Sequence, residues 1–261
     1  MKVATWNVNS IRPRLNHLRA WVRDAAPDVL CLQETKVVDD LFPHDDMEDL
    51  GFPHRAIWGQ KTYNGVAILS RHPLTDVRVG LPGAPVEPDG VPQARILSAQ
   101  VAGMQVVNVY VPNGAEPGSD KFAYKLAWLG RLADLLRELP RPADQLLVCG
   151  DFNIAPADAD VYDPFATAGH LLCTDEERAA WRALLGADLI DAWRKKAPFA
   201  TDYTWWDYRG SAFRYNHGFR IDHILLSPAL LRRCRSVVIE RKVRATPDAS
   251  DHAPVLASFL P

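Results

Sequence analysis

The stretch Asp28-Val29-Leu30-Cys31-Leu32-Gln33-Glu34 is an apolar run that ends in two polar residues. Its length and its apolar side chains predict a buried strand. A second predicted strand, Lys2–Asn7, precedes it, and the apolar residues from Leu15 to Val22 recur between the two at helical spacing. The chain therefore begins with a strand–helix–strand unit.

Other short apolar runs bounded by turn residues predict further strands at Gly65–Ser70, Arg95–Val101, Met104–Tyr110, Gln145–Asp151, Ile221–Ser227, Ser236–Glu240 and Pro254–Phe259. Helical periodicity covers Lys121–Leu139 and Thr174–Leu185, and the second helix starts with a capping box of Thr174 and Glu177. Loops are predicted at Gly80–Pro92 and Val111–Gly118. No linker-like break divides the chain, so we expect one domain over residues 1–261. Strand pairs mixed with helices predict an α/β (α+β) fold of two sheets packed face to face with helices outside.

The composition is that of a soluble globular protein, with 48% hydrophobic and 24% charged residues in a chain of 261. No apolar run approaches the ~20 residues that span a bilayer, and the N-terminus becomes polar too soon for a secretory signal. The four cysteines form no close pair, which favours buried reduced thiols over a disulfide or zinc framework. We therefore expect a cytoplasmic protein without a membrane partner.

The charge is unevenly distributed although the net charge is only −2. Between Ile190 and Ala245 there are 12 Lys and Arg against 5 Asp and Glu, whereas the rest of the chain has 18 against 27. A basic C-terminal third could bind a polyanion. Solvated surface charges are the alternative interpretation.

Polar residues stand where several apolar strands end. Four such exits are Trp6-Asn7-Val8-Asn9, Leu32-Gln33-Glu34-Thr35-Lys36, Cys149-Gly150-Asp151-Phe152-Asn153 and Arg220-Ile221-Asp222-His223, and Ser250-Asp251-His252 precedes the last strand. Hydrolysis of a phosphodiester needs an oriented water and neutralisation of the anion. Mg²⁺ suits this chemistry and takes oxygen ligands. Convergent carboxylate, amide and imidazole groups therefore predict metal-dependent cleavage of a phosphate ester.

Each of these residues also has a structural interpretation. Asp151 and Asn153 could cap the segment that follows them, and Lys36 could be a structural partner of Glu34. A single histidine such as His252 is more often structural than catalytic. The combination of five polar strand ends, rather than any one residue, favours a catalytic site.

An aromatic segment, Tyr203-Thr204-Trp205-Trp206-Asp207-Tyr208-Arg209, lies in the basic third and is followed by Phe213, Tyr215 and Phe219. Aromatic rings interleaved with Arg suit stacking on bases or sugars. Core packing is the alternative, above all for Trp206.

Ordered motifs along the whole chain resemble the exonuclease III group, the abasic-site endonuclease branch of the endonuclease/exonuclease/phosphatase superfamily. They are Thr5-Trp6-Asn7-Val8-Asn9-Ser10-Ile11-Arg12, Leu32-Gln33-Glu34-Thr35-Lys36, Tyr110-Val111-Pro112-Asn113-Gly114, Gly150-Asp151-Phe152-Asn153, Trp205-Trp206-Asp207-Tyr208-Arg209, Arg220-Ile221-Asp222 and Ser250-Asp251-His252. The resemblance implies a four-layer, deoxyribonuclease I-like sandwich of two mixed sheets flanked by helices, with the site at one end.

The resemblance also implies residue roles. The metal, Mg²⁺ with Mn²⁺ as a substitute, would be held by Glu34, Asp251, Asn7 and Asn9. Catalytic roles fall to Asp151, which would activate water, Asn153 beside it, His252 on the phosphate, Asp222 behind His252, Tyr110 and Asn7. Trp205, Phe219 and Ile221 would receive a flipped base-less sugar. The other DNA-binding residues would be Arg12, Lys36, Asn113 and Arg209.

Two positions depart from the family pattern. Glu116 falls near a place where one branch carries an Arg that inserts into DNA, which puts wedging by this loop in doubt. His170 stands where relatives often have Asn or Lys near the DNA. The chain also lacks a long basic N-terminal extension, as in the compact bacterial form.

The leading hypothesis is hydrolysis of duplex DNA 5′ to abasic sites, with 3′-to-5′ exonuclease and 3′-phosphatase or 3′-phosphodiesterase activity at the same site. The expected partner is double-stranded DNA with abasic sites or blocked 3′ ends, bound by a monomer. One alternative is a 3′-end-processing specialist with weak abasic-site activity. A phosphatase for lipid or inositol phosphates and a DNA-binding protein without activity are the others.

Overall fold

The computed structural model describes residues 1–86, 90–141 and 144–260. Within these ranges the strands are β1 (Lys2–Asn7), β2 (Val29–Gln33), β3 (His54–Trp58), β4 (Val66–Ser70), β5 (Leu74–Val79), β6 (Ile96–Val101), β7 (Met104–Tyr110), β8 (Leu146–Asp151), β9 (Ile190–Asp191), β10 (Asp222–Leu226), β11 (Cys234–Ile239) and β12 (Val255–Phe259). The helices are α1 (Leu15–Ala25), α2 (His44–Asp49), α3 (Asp120–Glu138), α4 (Pro164–Thr167), α5 (Asp175–Leu185), α6 (Ala192–Lys196), α7 (Ala212–Tyr215), α8 (Pro228–Arg233) and α9 (Arg241–Arg244).

The strands form two six-stranded mixed sheets. Sheet A has the order β11-β12-β1-β2-β4-β3, and sheet B has the order β5-β6-β7-β8-β10-β9. Each sheet has one parallel pair near its centre, β1 with β2 and β7 with β8, while the other pairs are antiparallel. A parallel pair needs a crossover, which α1 provides in sheet A and α3 in sheet B. The carboxyl ends of these four strands are where the polar residues of the sequence motifs lie.

The core has three apolar layers, which confirm the predicted four-layer sandwich. Residues such as Val29 and Ile68 of sheet A pack against Val106 and Ile224 of sheet B. The outer face of sheet A packs on α1 through side chains that include Trp6, Trp21 and Leu32. The outer face of sheet B packs on α3 and α5, with members such as Trp128, Leu132, Val148 and Trp181.

The predicted bounds of β1 and β7 are confirmed, and the other predicted strands and helices differ by one or two residues at their ends. Thr174 and Glu177 form the predicted capping box. Strands β3, β5 and β9 were not predicted, because they lie at the sheet edges and half or more of their residues are not buried. Residues 87–89 of the predicted Gly80–Pro92 loop lie outside the described residues.

Two other expectations concern the whole chain. The four cysteines are buried free thiols, as predicted. Within residues 1–86, 90–141 and 144–260, no helix has the length and apolar character needed to cross a membrane.

Gly150, the first residue of the Gly-Asp-x-Asn motif, has to be a glycine because β7 passes too close to it for a side chain. Its φ of +145° is unfavourable for other residues, and a Cβ atom there would lie 1.9 Å from the carbonyl oxygen of Val109.

We expect Gly150→Ala to lower the free energy of unfolding by more than about 3 kcal/mol, since strain and overpacking add. Urea unfolding measures the change. Gly130→Ala is the matched control, because Gly130 lies in α3 and a Cβ atom added there would have no neighbouring atom within 4 Å. A stabilised Gly130→Ala and an unchanged Gly150→Ala would contradict the steric argument.

Candidate active site

The polar strand ends predicted from the sequence meet at one end of the sandwich. Asn7 ends β1, Glu34 follows β2, Tyr110 ends β7 and Asp151 ends β8. Asp222 begins β10 and pairs directly with Asp151 across the antiparallel ladder. The two parallel strand pairs therefore bring these groups from both sheets to one place.

Asn7 joins two carboxylates at the centre of the site. Its Nδ2 donates to Glu34 Oε1 at 2.8 Å and to Asp151 Oδ2 at 2.9 Å, while its Oδ1 accepts from the backbone of Asn9 at 3.0 Å. Asn7 and Asp151 are fully buried. A buried carboxylate needs donors, and Asp151 Oδ1 also accepts from the backbone N–H of Asn153 at 2.9 Å.

His252 lies against this pair and is fixed from behind. A carboxylate can only accept, so His252 Nδ1 carries the proton that is donated to Asp222 Oδ2 at 2.9 Å. His252 Nε2 then faces Asp151 Oδ2 at 3.9 Å. Trp6 Nε1 donates to the His252 carbonyl at 3.1 Å, which holds the backbone in place.

The buried charges shift one another's protonation. Burial alone would lower the pKa of His252, but the carboxylates of Asp222 and Asp151 raise it to about 10. Burial raises the pKa of Asp151 to about 7, against the opposing charge of His252. Burial and the neighbouring Glu34 carboxylate raise the pKa of Tyr110 well above its usual value. Near neutral pH the site thus holds a cationic histidine beside a carboxylate that can both bind and release a proton.

Asp251, the residue before His252, is held by two side-chain donors. Its carboxylate accepts from Asn9 Nδ2 and from Trp205 Nε1, both at 2.9 Å. Burial would raise the pKa of Asp251, but the charge of His252 and these hydrogen bonds lower it. Lys36 links the same network to Glu34, because its Nζ donates to Asn9 Oδ1 at 2.6 Å and pairs with Glu34 Oε2 at 2.9 Å.

Several of these residues have left-handed backbones. The φ angles are +44° at Asn9, +53° at Glu34, +54° at Lys36 and +50° at Asn153. Such conformations are costly for residues other than glycine and persist where surrounding contacts fix them. The strain turns the chain sharply just past β1, β2 and β8, so that the side chains point into the site.

The site opens into a groove of about 670 Å³. One wall is apolar and contains Trp205, Phe219 and Ile221, with the Trp205 and Phe219 ring centroids 5.7 Å apart. Other predicted site residues in the groove lining are Glu34, Tyr110, Asn113, Asp151, Asn153, Arg209, Asp251 and His252. His170 and Leu171 also line the groove. Four other predicted residues do not line the groove but contact residues that do: Asn7, Asn9, Lys36 and Asp222. Arg12 also lies outside the lining and donates to the carbonyl of Leu41 at 3.0 Å.

Hydrolysis of a phosphate ester needs a group that accepts the proton of water and a cation that contacts the phosphate, and Asp151 and His252 supply both at the mouth of the groove. The chain belongs to the endonuclease/exonuclease/phosphatase family, whose pattern it matches over residues 4–252. Exodeoxyribonuclease III of Haemophilus influenzae is 35% identical over 271 aligned positions, which cover 99% of this chain and 100% of the relative.

Two solved structures share the fold along their whole length. The 3′ phosphatase NExo from Neisseria, bound to a product DNA hairpin, gives a TM-score of 0.94 at 43% identity and covers 100% of this chain and 99% of its own. An AP endonuclease from Archaeoglobus fulgidus gives a TM-score of 0.93 at 38% identity, with 99% of both chains covered. These similarities confirm the predicted resemblance to exonuclease III and the predicted enzyme class, a nuclease.

A buried ion pair that the sequence analysis did not single out supports the groove. Lys125 of α3 and Glu177 of α5 are fully buried and contact each other directly. Lys125 Nζ also donates to the carbonyls of Asn153 at 2.7 Å and Asn113 at 3.1 Å. Glu177 accepts from the backbone of Leu172 at 3.1 Å. The only sequence signal was the capping box, which accounted for Glu177 without its partner.

We expect Lys125→Met to lower the free energy of unfolding by about 3–5 kcal/mol, because it leaves the Glu177 carboxylate buried without its cation. The loops of Asn113 and Asn153 lose their common donor, so cleavage should fall as well. Urea unfolding and turnover of a DNA substrate measure the two effects. Lys121→Met is the matched control, since Lys121 lies one turn earlier in α3 and is exposed. Equal stability of the two variants would show that the pair has no structural weight.

Proposed function

We propose that the protein is a metal-dependent DNA repair hydrolase that cleaves the phosphodiester 5′ to abasic sites and removes 3′ nucleotides and 3′ phosphates from duplex DNA. The observation that carries the proposal is that Asp151 and His252, with Asp222 behind His252, open into the same groove as Trp205 and Phe219. The same water attack serves all three reactions, because each breaks the bond between phosphorus and an oxygen at a 3′ position. The relatives named for exonuclease, 3′ phosphatase and AP endonuclease activity support this range.

The chain's own groups fit the proton transfers of hydrolysis. Asp151 Oδ2 is held by Asn7 and faces the groove, so it can orient a water and accept its proton. The cationic His252 presents Nε2–H to a bound phosphate, and Asp222 keeps that ring in one orientation. Tyr110, whose raised pKa keeps its hydroxyl protonated, can donate to a phosphate oxygen or to the departing oxygen.

The oxygen atoms of the site fit a divalent metal ion. Glu34, Asp151 and His252 each offer an atom within 4.8 Å of the others. Because His252 is held as a cation and Asp151 serves as the proton acceptor, Glu34 is the metal ligand of this group, with Asp251 and the amides of Asn7 and Asn9 around it. Carboxylate oxygens favour Mg²⁺, with Mn²⁺ as a substitute. When bound, the ion supplies neutralisation of the phosphate charge.

The apolar wall suits a sugar that has lost its base. Trp205, Phe219 and Ile221 offer a surface without a hydrogen-bond partner for a base edge, and flipping is least costly where pairing is already lost. Arg209, exposed at the rim, and Lys36 and Asn113 are suited to the DNA backbone, with Arg12 further out. All of these groups come from one chain, which supports action as a monomer, and the buried free thiols fit the reducing cytoplasm.

His170 favours a second candidate function. It lines the same groove as Trp205 and Phe219, so its side chain can narrow the space offered to a flipped sugar. A narrowed pocket would disfavour an internal abasic nucleotide but leave a terminal 3′ phosphate accessible. The protein would then be a 3′-end-processing specialist, as the 43% identity to a 3′ phosphatase also suggests.

Asp151→Asn tests the chemistry. We expect it to lower kcat by about 10²–10⁴ because the proton acceptor is lost, while DNA binding and folding are retained. The assay uses three labelled duplexes, with an internal abasic analogue, with a nick carrying a 3′ phosphate and without damage, each with Mg²⁺ or EDTA. Glu138→Gln, at the exposed end of α3, is the control. Unchanged turnover by Asp151→Asn would remove this residue from the mechanism, and cleavage of inositol phosphates but no DNA would refute the proposed function.

His170→Ala and Trp205→Ala separate the two candidates. If His170 restricts the pocket, His170→Ala should raise the rate of abasic-site cleavage relative to 3′-phosphate removal by about tenfold or more. A tenfold change corresponds to the relief of a steric clash of ~1.4 kcal/mol. Trp205→Ala should change the same ratio in the opposite direction. Phe165→Ala, an equally simple truncation at an exposed ring outside the groove lining, is the control. A constant ratio in all variants would leave the wall without a role in substrate choice.

A further inference from the structure

A row of aromatic rings leads from the catalytic histidine to the protein surface. Each ring lies next to the following one, with centroid distances of 6.5 Å from His252 to Trp205, 5.7 Å to Phe219, 5.7 Å to Tyr162, 4.5 Å to His217 and 5.8 Å to Tyr215. The first rings of the row form the groove wall. The last three, Tyr162, His217 and Tyr215, lie beyond the groove and are here called the outer strip.

The outer strip is exposed although its rings are large. Tyr215 is 60% exposed and Tyr162 38% exposed, and His217 is also on the surface. Tyr162 and His217 are stacked, with 21° between their planes. A stacked pair that keeps part of its ring surface in water offers a face on which a further flat ring can bind.

The backbone fixes the strip in place. Tyr162 N donates to the Gly218 carbonyl at 3.1 Å, and His217 N to the Ala212 carbonyl at 2.8 Å. A side chain at Gly218 would place its Cβ within 2.5 Å of Trp206 Nε1, so the loop is pressed against the core. Asn216, with a φ of +57°, turns the chain between the rings. The rings are therefore preorganised, which lowers the entropy lost on binding.

The charges around the strip suit a polyanion. The Arg214 guanidinium lies 5.9 Å from the Tyr215 ring centroid, and Arg209 is 93% exposed at the groove rim. Of the neighbouring acids, Asp163 caps α4, where its Oδ1 accepts from the backbone of Phe165 at 3.1 Å and of Ala166 at 3.0 Å. Two further acids are paired with arginines. Asp158 pairs with Arg178 at 2.9 Å, and Asp160 is buried between Arg194 and Arg220. Aromatic faces beside exposed arginines are the combination that binds single-stranded nucleic acid.

We propose that Tyr162, His217 and Tyr215 bind the bases of an unpaired segment of the DNA substrate whose cleaved phosphate lies in the groove. This inference rests on the proposed DNA hydrolase function. A paired segment keeps its base faces covered by stacking, whereas unpaired bases can stack on the strip. The strip therefore adds affinity for frayed, gapped or tailed ends next to the site of cleavage.

The test measures the fluorescence anisotropy of labelled eight-nucleotide oligothymidine with the full chain in EDTA, which prevents cleavage. The double variant Tyr162→Ala/His217→Ala should bind oligothymidine about tenfold more weakly or worse. The same variant should bind a fully paired duplex almost as tightly as the unaltered protein does, so that its loss of affinity for the duplex is at least tenfold smaller than its loss for oligothymidine. The double variant Tyr162→Phe/His217→Phe keeps the rings and should bind as the unaltered protein does. Phe199→Ala removes a 96% exposed ring outside the strip and is the control.

Three results would overturn the inference. The first is that the alanine variant binds oligothymidine as tightly as the unaltered protein. The second is that it loses as much affinity for the paired duplex as for oligothymidine, which would mean that the rings only support the loops. The third is that the phenylalanine variant loses its affinity for oligothymidine. Turnover of the nicked 3′-phosphate duplex with Mg²⁺ is measured in parallel on the unaltered protein. Absence of that turnover with strip-dependent oligothymidine binding would refute the hydrolase function and not the strip.

Discussion

A hydrogen-bond network between Gln33 and Asn108 fixes the two sheets to each other next to the site. Gln33 Nε2 donates to Asn108 Oδ1 at 2.6 Å and to Thr5 Oγ1 at 2.8 Å, while Asn108 Nδ2 donates to the carbonyls of Leu32 and Ala67, both at 2.9 Å. Apolar packing between sheets is strong but not directional. A fully buried polar network is directional, because a shift of either sheet would leave its members without partners. Gln33 precedes Glu34 in the chain, so this network sets the distance between the groups that the two sheets contribute.

The buried charges of the site lower the stability of the fold, but the proposed hydrolysis depends on them. Asp151, Asp222 and His252 are nearly inaccessible to solvent, and burying three ionisable groups is unfavourable unless each is compensated. The compensation is mutual, since His252 lies between the two carboxylates and Asn7 bridges Asp151 to Glu34. The result is a histidine that stays cationic and an aspartate poised near pH 7.

The features that could be predicted from the sequence are the strands and helices with a periodic apolar pattern and the polar motifs at the strand ends. Polar residues after β1, β2 and β8 were expected to converge, and they do, because β1 and β2 are parallel neighbours in sheet A and β8 of sheet B ends at the same end of the sandwich. The Lys125–Glu177 pair was not predicted, since a lysine on a helix is normally solvated and nothing local marks it as buried. His223 is buried beside Arg220, which donates to its Nδ1 at 2.8 Å. Such pairs depend on which distant segments meet, and that information is not local.

The two parts of the site are built differently. The reactive groups lie on strand ends that the sheets hold rigidly, whereas the groove wall is formed by the long segments 152–175 and 203–221, which contain little regular structure. Buried ion pairs, instead of the hydrogen-bond ladders of a sheet, hold these segments in place. One is Lys125–Glu177, and the other joins Arg220 to Asp160 at 2.7 Å and to Asp191 at 2.8 Å. Because these pairs anchor only a few points of each segment, side chains such as His170 and Tyr162 can differ without moving Glu34, Asp151 or His252. Substrate preference can therefore change on this wall while the chemistry stays the same.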